Sequence, residues 1–169
     1  MLWDRWRLAS ARAPRLGLDA VLAAAADGPE LMLDLKGRDP RLPDRVAGAI
    51  GDSAISGGIT VCSQDWRLLE RLSGTPGIRI VHSIGSARAL ERLRSRFAGE
   101  ELAGISIHRR LLDVATVRDL RARTALLLSW PVESVPVARH LAALGVDGLI
   151  SQAFEPIAAA LGTPQAAIA

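Results

Sequence analysis

Short apolar segments alternate with amphipathic segments along most of the chain. The apolar segments have the length of buried β-strands and cover residues 31–36, 58–63, 78–83, 104–108, 125–130 and 146–151. Between them, apolar residues recur with helical spacing at 43–50, 65–72, 86–97, 113–122 and 135–144. Ser86 is a candidate N-cap, as is Asp65 or Gln64, and Gly145 is a candidate helix stop. This alternation predicts an α/β fold made of parallel βαβ units.

Two architectures share the alternation, an open doubly wound sheet and a (β/α)8 barrel. The strands start about 20–27 residues apart, close to the unit length of a barrel of about 250 residues. Eight such units exceed a chain of 169 residues, whereas six strands fit. A leading helix at 18–26 has no strand before it, as expected for the tail of an incomplete unit. No linker-like stretch interrupts residues 1–169, so we expect a single domain.

Composition narrows the classes of function. The chain is 49% hydrophobic and 23% charged, which is sufficient for a buried core. Its formal charge is only +3, and its arginines are interspersed with acids, as is typical of solvated helix faces. We therefore expect no nucleic-acid partner. Of the 21 basic residues, 20 are arginine and one, Lys36, is lysine.

The sequence also indicates a compartment. Cys62 is the single cysteine, so there is no intramolecular disulfide. The N-terminus carries charges where a signal peptide needs an apolar run, and no segment has the roughly 18 uninterrupted apolar residues of a membrane span. A soluble cytoplasmic protein without an integral membrane span is the expectation.

Asp34 and Lys36 are the first candidates for chemistry. They lie two residues apart on a strand of Leu and Met, so both side chains point to the same side of the sheet. One interpretation is a partly buried ion pair at a strand end. The other is a metal-binding carboxylate beside an ammonium that binds phosphate. The use of lysine at this one position favours the second interpretation.

Two histidines and a tryptophan lie near the carboxyl ends of strands, where barrel active sites are built. A histidine in the position of His82 is more often part of the core. His108 is the stronger catalytic candidate, because Arg109 and Arg110 follow it and could join an anion site. Trp130 ends its strand either in the core or as a pocket wall. Cys62 is interpreted as a small hydrophobic residue, and Trp3 and Trp6 as one packed face.

Five segments in order resemble the glycerophosphodiester phosphodiesterase family: Leu-Asp-Leu-Lys-Gly at 33–37, Val-Cys-Ser-Gln-Asp-Trp at 61–66, Ser-Ile-His-Arg-Arg-Leu-Leu at 106–112, Leu-Ser-Trp-Pro-Val at 128–132 and Gly-Val-Asp-Gly-Leu-Ile at 145–150. The resemblance implies a (β/α)8 TIM barrel that hydrolyses glycerophosphodiesters to glycerol 3-phosphate and an alcohol. It also implies a divalent cation, Ca²⁺ or Mg²⁺, and two histidines as acid and base. By this resemblance Asp34 matches a metal-binding acid (usually Glu), Lys36 the phosphate-contacting lysine and Trp130 a pocket tryptophan.

The family's first two strands, with their His-Arg-Gly and Glu-x-Asp motifs, have no counterpart in the sequence. Either Met1 is an internal methionine of a complete phosphodiesterase, or the chain is a non-catalytic relative that binds an anionic ligand or a protein partner. We expect the chain as given to be inactive, with Lys36 and His108 as its remaining catalytic candidates. We also expect open sheet edges that make the chain self-associating or marginally stable, unless the N-terminal helix covers the gap.

Overall fold

The computed structural model describes residues 17–26, 28, 30–37, 39–55 and 58–162. Trp3 and Trp6, for which a shared packed face is predicted, lie outside these residues. Within the described part, strands and helices alternate as the hydrophobic pattern predicts.

The described strands form one parallel sheet whose order follows the sequence, β1-β2-β3-β4-β5-β6. Their bounds are β1 (Leu31–Asp34), β2 (Ile59–Ser63), β3 (Ile78–Ile84), β4 (Ile105–His108), β5 (Leu127–Trp130) and β6 (Gly148–Leu149). A doubly wound sheet reverses its strand order at a switch point, whereas a barrel adds each strand beside the previous one. The sheet curls into a half-barrel, and the expected incomplete (β/α) barrel is confirmed.

Helices follow or precede the strands at the predicted places. Their bounds are α1 (Leu18–Ala25), α2 (Leu42–Gly51), α3 (Trp66–Glu70), α4 (Ala87–Arg96), α5 (Val114–Arg121), α6 (Val135–Ala143) and α7 (Phe154–Leu161). A 3₁₀ turn at Arg109–Leu111 joins β4 to α5. The pattern did not predict α7 or the 3₁₀ turn. Helix α7 forms because Ile157 packs with Val132 and Leu141 in a second apolar cluster against α6.

The predicted helix boundaries have the expected local chemistry. The Asp65 carboxylate accepts a hydrogen bond from the backbone N–H of Arg67, and the Ser86 hydroxyl accepts one from that of Ala89. Each bond satisfies a donor that the first helical turn leaves unpaired. Gly145 has φ of 92°, in the left-handed region that favours glycine, and this conformation ends the turn after α6.

The main core lies between the sheet and the helices. Every second residue of each strand points to the helices and packs against their apolar faces. The strand residues in this core are Ile59, Val61, Ile84, Ile105, Ile107 and Leu127, and the helix residues include Leu22, Val46, Leu69, Leu72, Leu93 and Leu120. Leu22 belongs to α1, which contacts α2. Helix α1 therefore lies in the helical layer, as expected for the tail of a preceding βα unit.

The alternate strand residues face the concave side of the half-barrel, and several of them are small. Thr60, Cys62, Ser83 and Ser106 are all buried there, although they lie outside the main apolar cluster. The carboxyl ends of the strands form one rim of this concave face. The chemistry-bearing residues predicted from the sequence follow those strand ends.

The sheet has two open edges. Among the described residues, β1 pairs only with β2, and β6 pairs only with β5. The backbone on the outer side of each edge strand therefore lacks a strand partner in the described part of the chain. Of the described helices, none has the length and apolar character that crossing a membrane would require.

Candidate functional site

Asp34 and Lys36 meet at the carboxyl end of β1. The Lys36 ammonium lies 3.0 Å from the Asp34 carboxylate, and the two side chains are 80% and 49% exposed, respectively. The prediction that both point to the same side is therefore confirmed. The pair is exposed rather than partly buried, so the ammonium keeps an open side on which an anion can bind.

Cys62 lies beside this pair, because its Cα is in register with that of Asp34 on the neighbouring strand. Burial, followed by the negative charge of Asp34 and a hydrogen bond to it, raises the pKa of the Cys62 thiol to about 12, against a smaller lowering by Lys36. The thiol thus stays protonated at neutral pH. It is a buried packing residue and not a nucleophile, as the sequence indicated.

His108 and Trp130 form the second group of candidates. They are register partners at the ends of β4 and β5, with ring centroids 5.0 Å apart and planes inclined at 78°. Both side chains are half-buried. The indole Nε1 of Trp130 is buried and has no hydrogen-bond partner among the described residues. Trp130 is therefore at the concave rim with one polar atom still to be satisfied.

The side chain of Arg109, next to His108, is paired with a carboxylate. Its guanidinium lies 3.6 Å from the carboxylate of Glu133, in the loop after β5. The sequence reasoning did not single out Glu133. Its position three residues after Trp130, at the same rim of the sheet, is the feature of the sequence that could have identified it as a site residue. Of the two arginines after His108, Arg109 therefore contributes less free positive charge than the sequence suggests.

His82 lies on the other side of the sheet, between β3 and the helices. Its ring packs against Phe97 at 4.8 Å and Trp66 at 5.6 Å between centroids. Burial, and to a lesser extent the charge of Arg96, lowers the pKa of His82 against a small opposing effect of Glu70. His82 is therefore buried in the core, as interpreted from the sequence, although its Nδ1 has no hydrogen-bond partner among the described residues. The strand separates it from the candidate site.

The described residues do not fit a divalent cation. No group of three or more His, Cys, Asp or Glu side chains converges anywhere in the described part of the chain. Asp34, the predicted metal ligand, has an ammonium and a protonated thiol as its neighbours. A hard cation such as Ca²⁺ takes about six to eight oxygen ligands, and one carboxylate beside a lysine does not supply them.

The comparisons with known proteins agree with the geometry of the fold. No family model matches the sequence, and no curated protein matches it. Among solved structures, a candidate glycerophosphoryl diester phosphodiesterase from Silicibacter pomeroyi superposes with a TM-score of 0.68 at 18% identity, covering 79% of this chain and 52% of its own. An Oleispira antarctica phosphodiesterase, solved in complex with the product sn-glycerol-3-phosphate, superposes with a TM-score of 0.66 at 20% identity, covering 79% of this chain and 55% of its own.

A glycerophosphodiester phosphodiesterase from Parabacteroides distasonis has a TM-score of 0.66 at 17% identity, covering 86% of this chain and 63% of its own. The chain thus spans between about half and two thirds of the length of the structures it matches. The described half-barrel has the fold of the corresponding part of glycerophosphodiester phosphodiesterases.

Proposed function

We propose that this half-barrel binds the glycerol phosphate portion of a glycerophosphodiester at the carboxyl ends of its strands. The observation that supports this most directly is the exposed ammonium of Lys36, held 3.0 Å from Asp34 on a sheet with the phosphodiesterase fold. In this proposal the six βα units are part of one barrel domain of that kind. The structural neighbour from Oleispira antarctica was solved with sn-glycerol-3-phosphate, which has the same phosphoryl and glycerol groups.

Each candidate residue has a distinct role in this proposal. The Lys36 ammonium contacts the phosphoryl oxygens, and Asp34 orients the flexible lysine stem through the ion pair. Trp130, half-buried at the same rim, offers its ring to the glycerol carbon atoms and its indole N–H to an oxygen. The ligand is thus a small anionic phosphate ester.

Hydrolysis to glycerol 3-phosphate and an alcohol is proposed only for a complete barrel. Attack of water on phosphorus needs a positioned proton acceptor, a proton donor for the leaving alkoxide and stabilisation of the phosphoryl charge. Of these, the described residues supply the charge of Lys36. The absence of a converging ligand group in the described part favours binding without turnover for this chain by itself.

Titration of the chain with sn-glycerol 3-phosphate, followed by calorimetry, tests the binding proposal. We expect Lys36→Gln to weaken binding about tenfold or more, because a charge-assisted contact to phosphate is lost. Arg79→Gln is the matched control. Arg79 also pairs with an acid, at 2.9 Å from Glu30, but it lies at the amino-terminal end of β3, and we expect unchanged affinity. Equal loss in both variants, or none in Lys36→Gln, contradicts the proposal.

An activity assay tests the proposal that this chain by itself binds the ester without hydrolysing it. Incubated with glycerophosphocholine and Ca²⁺ or Mg²⁺, the chain as given should show no turnover. Hydrolysis that a chelator abolishes and that Lys36→Ala removes would show instead that the present residues suffice for catalysis.

A further inference from the structure

We propose that His108 presents its Nε2–H as a hydrogen-bond donor to an oxygen of the bound ligand, and does not act as a proton acceptor. This rests on the proposed function, because it assigns a role in the same site. The sequence placed His108 among the catalytic candidates for acid–base work. The contacts of its ring point to a narrower role.

The first step is the hydrogen bond that His108 makes to its own turn. The backbone N–H of Arg110 donates to Nδ1 of His108 at 3.2 Å, so the histidine side chain caps the 3₁₀ turn. A peptide N–H can only donate, so Nδ1 must carry a lone pair. In a neutral imidazole with a lone pair on Nδ1, the proton is on Nε2. The turn therefore selects one tautomer.

The second step is the charge of the ring. Burial, followed by the positive charges of Arg110 and Arg109, lowers the pKa of His108 against a smaller opposing effect of Glu133. Protonation would also place a hydrogen on Nδ1, where the turn needs an acceptor. The neutral Nε2–H form is thus the form present near pH 7, and it has no free lone pair on its exposed side.

The third step is what surrounds the free nitrogen. Nε2 of His108 has no hydrogen-bond partner in the described part of the chain, and it is not one of the buried unsatisfied atoms. The neighbouring Trp130 ring, 5.0 Å away between centroids, carries a buried Nε1–H that likewise has no acceptor among the described residues. Two N–H donors without acceptors, carried by neighbouring rings, match the oxygens of a phosphate ester. In this proposal His108 is a donor to the ligand and not the general base.

Two substitutions distinguish the possible roles of His108, because each replaces the hydrogen-bonding group of only one ring nitrogen. In His108→Asn, the side-chain oxygen can replace Nδ1 as the cap of the turn, but the Nε2 donor is lost. In His108→Gln, the terminal amide can replace the Nε2–H donor, but the cap is lost. The affinity of each variant for sn-glycerol 3-phosphate is measured by calorimetry, with the wild-type chain as reference.

We expect His108→Asn to weaken binding about tenfold and His108→Gln to stay within about threefold of wild type. A role confined to capping the turn predicts the reverse order. If His108 served only as a proton acceptor, affinity would not depend on its Nε2–H and the two variants should bind alike, so equal affinities of the two variants overturn the proposal. The stability of both variants, measured by thermal unfolding, shows whether a loss of affinity reflects a loss of fold.

The tautomer is tested separately from the proposed function. Nitrogen-15 NMR of the free chain distinguishes protonated from unprotonated ring nitrogens, and we expect the proton of His108 on Nε2 near pH 7. A proton on Nδ1 overturns the inference even if the ligand binds. Failure of the wild-type chain to bind sn-glycerol 3-phosphate overturns the proposed function and the ligand contact, whatever tautomer is observed.

Discussion

Val81 occupies the space that any side chain at residue 104 would need. A Cβ placed on Gly104 would lie 2.6 Å from Cγ2 of Val81, which is fully buried on the neighbouring strand. The contact lies on the concave side of the sheet, where β3 and β4 approach closely. The glycine is therefore required by packing and not by backbone conformation.

Gly104→Ala is expected to destabilise the chain by about 1–3 kcal/mol, because the added methyl forces a shift in a closely packed interior. Urea unfolding measures the free energy. The double variant Gly104→Ala, Val81→Ala should regain part of the loss, since the smaller residue 81 makes room for the new methyl. Losses that simply add in the double variant would contradict the proposed steric conflict.

The stability of the chain should depend on pH through His82. Its folded-state pKa is lowered, chiefly by burial, so the unfolded chain binds more protons as the pH falls below the ordinary imidazole value of about 6.5. Stability is full above that value and decreases as the pH falls from it towards the lowered folded-state pKa. His82→Phe, which retains an aromatic ring beside Trp66 and Phe97, should reduce this dependence.

His140→Phe provides the control for His82. His140 lies on the exposed side of α6, and its substitution should leave the pH dependence of stability as in wild type. Chemical unfolding at several pH values between about 5 and 8 gives the comparison. The same slope in wild type and His82→Phe would assign the dependence to another group.

The open edge at β1 should cause concentration-dependent self-association. Leu35 donates its backbone N–H to Cys62, so in a parallel pair the residues of the other parity, such as Met32, point their N–H groups away from β2. Met32→Pro removes one of these outward donors without removing a bond to β2, and it should weaken association. Light scattering over a range of concentrations measures the effect.

Met32→Val is the matched control, because it changes the side chain and leaves the backbone donor in place. It should associate like wild type. A wild-type chain that remains monomeric and highly stable at all concentrations would show that the β1 edge is covered.

The sequence predicted the strands of this fold well because a parallel strand buried on both faces is a short apolar run between turns. It predicted the Asp34 and Lys36 pair for the same reason, since two polar residues two positions apart on such a strand share a side. It did not predict α7, because the alanine-rich segment at Phe154–Leu161 becomes a helix by burying Ile157 against α6. That stabilisation arises from tertiary contacts rather than from the local pattern.

The alternation of side chains along each strand is sufficient to tell which side of the sheet each of the two strand-end histidines faces. His82 shares its parity with Ile78, Ile80 and Ile84, the residues that face the helices. His108 has the parity opposite to Ile105 and Ile107, and so faces the concave side. Counting parity from the isoleucines would have separated the core histidine from the rim histidine. The tautomer of His108 could not be predicted in this way, because it depends on the 3₁₀ turn after β4.

The consecutive strand order has a consequence for how the fold is acquired. Among the described strands, each pairs only with the strands before and after it in the chain, so every sheet pairing spans a single βα unit. The sheet can therefore grow unit by unit as the chain is synthesised. A unit added at either edge would need to match one strand alone, which makes this half-barrel well suited to fragment complementation.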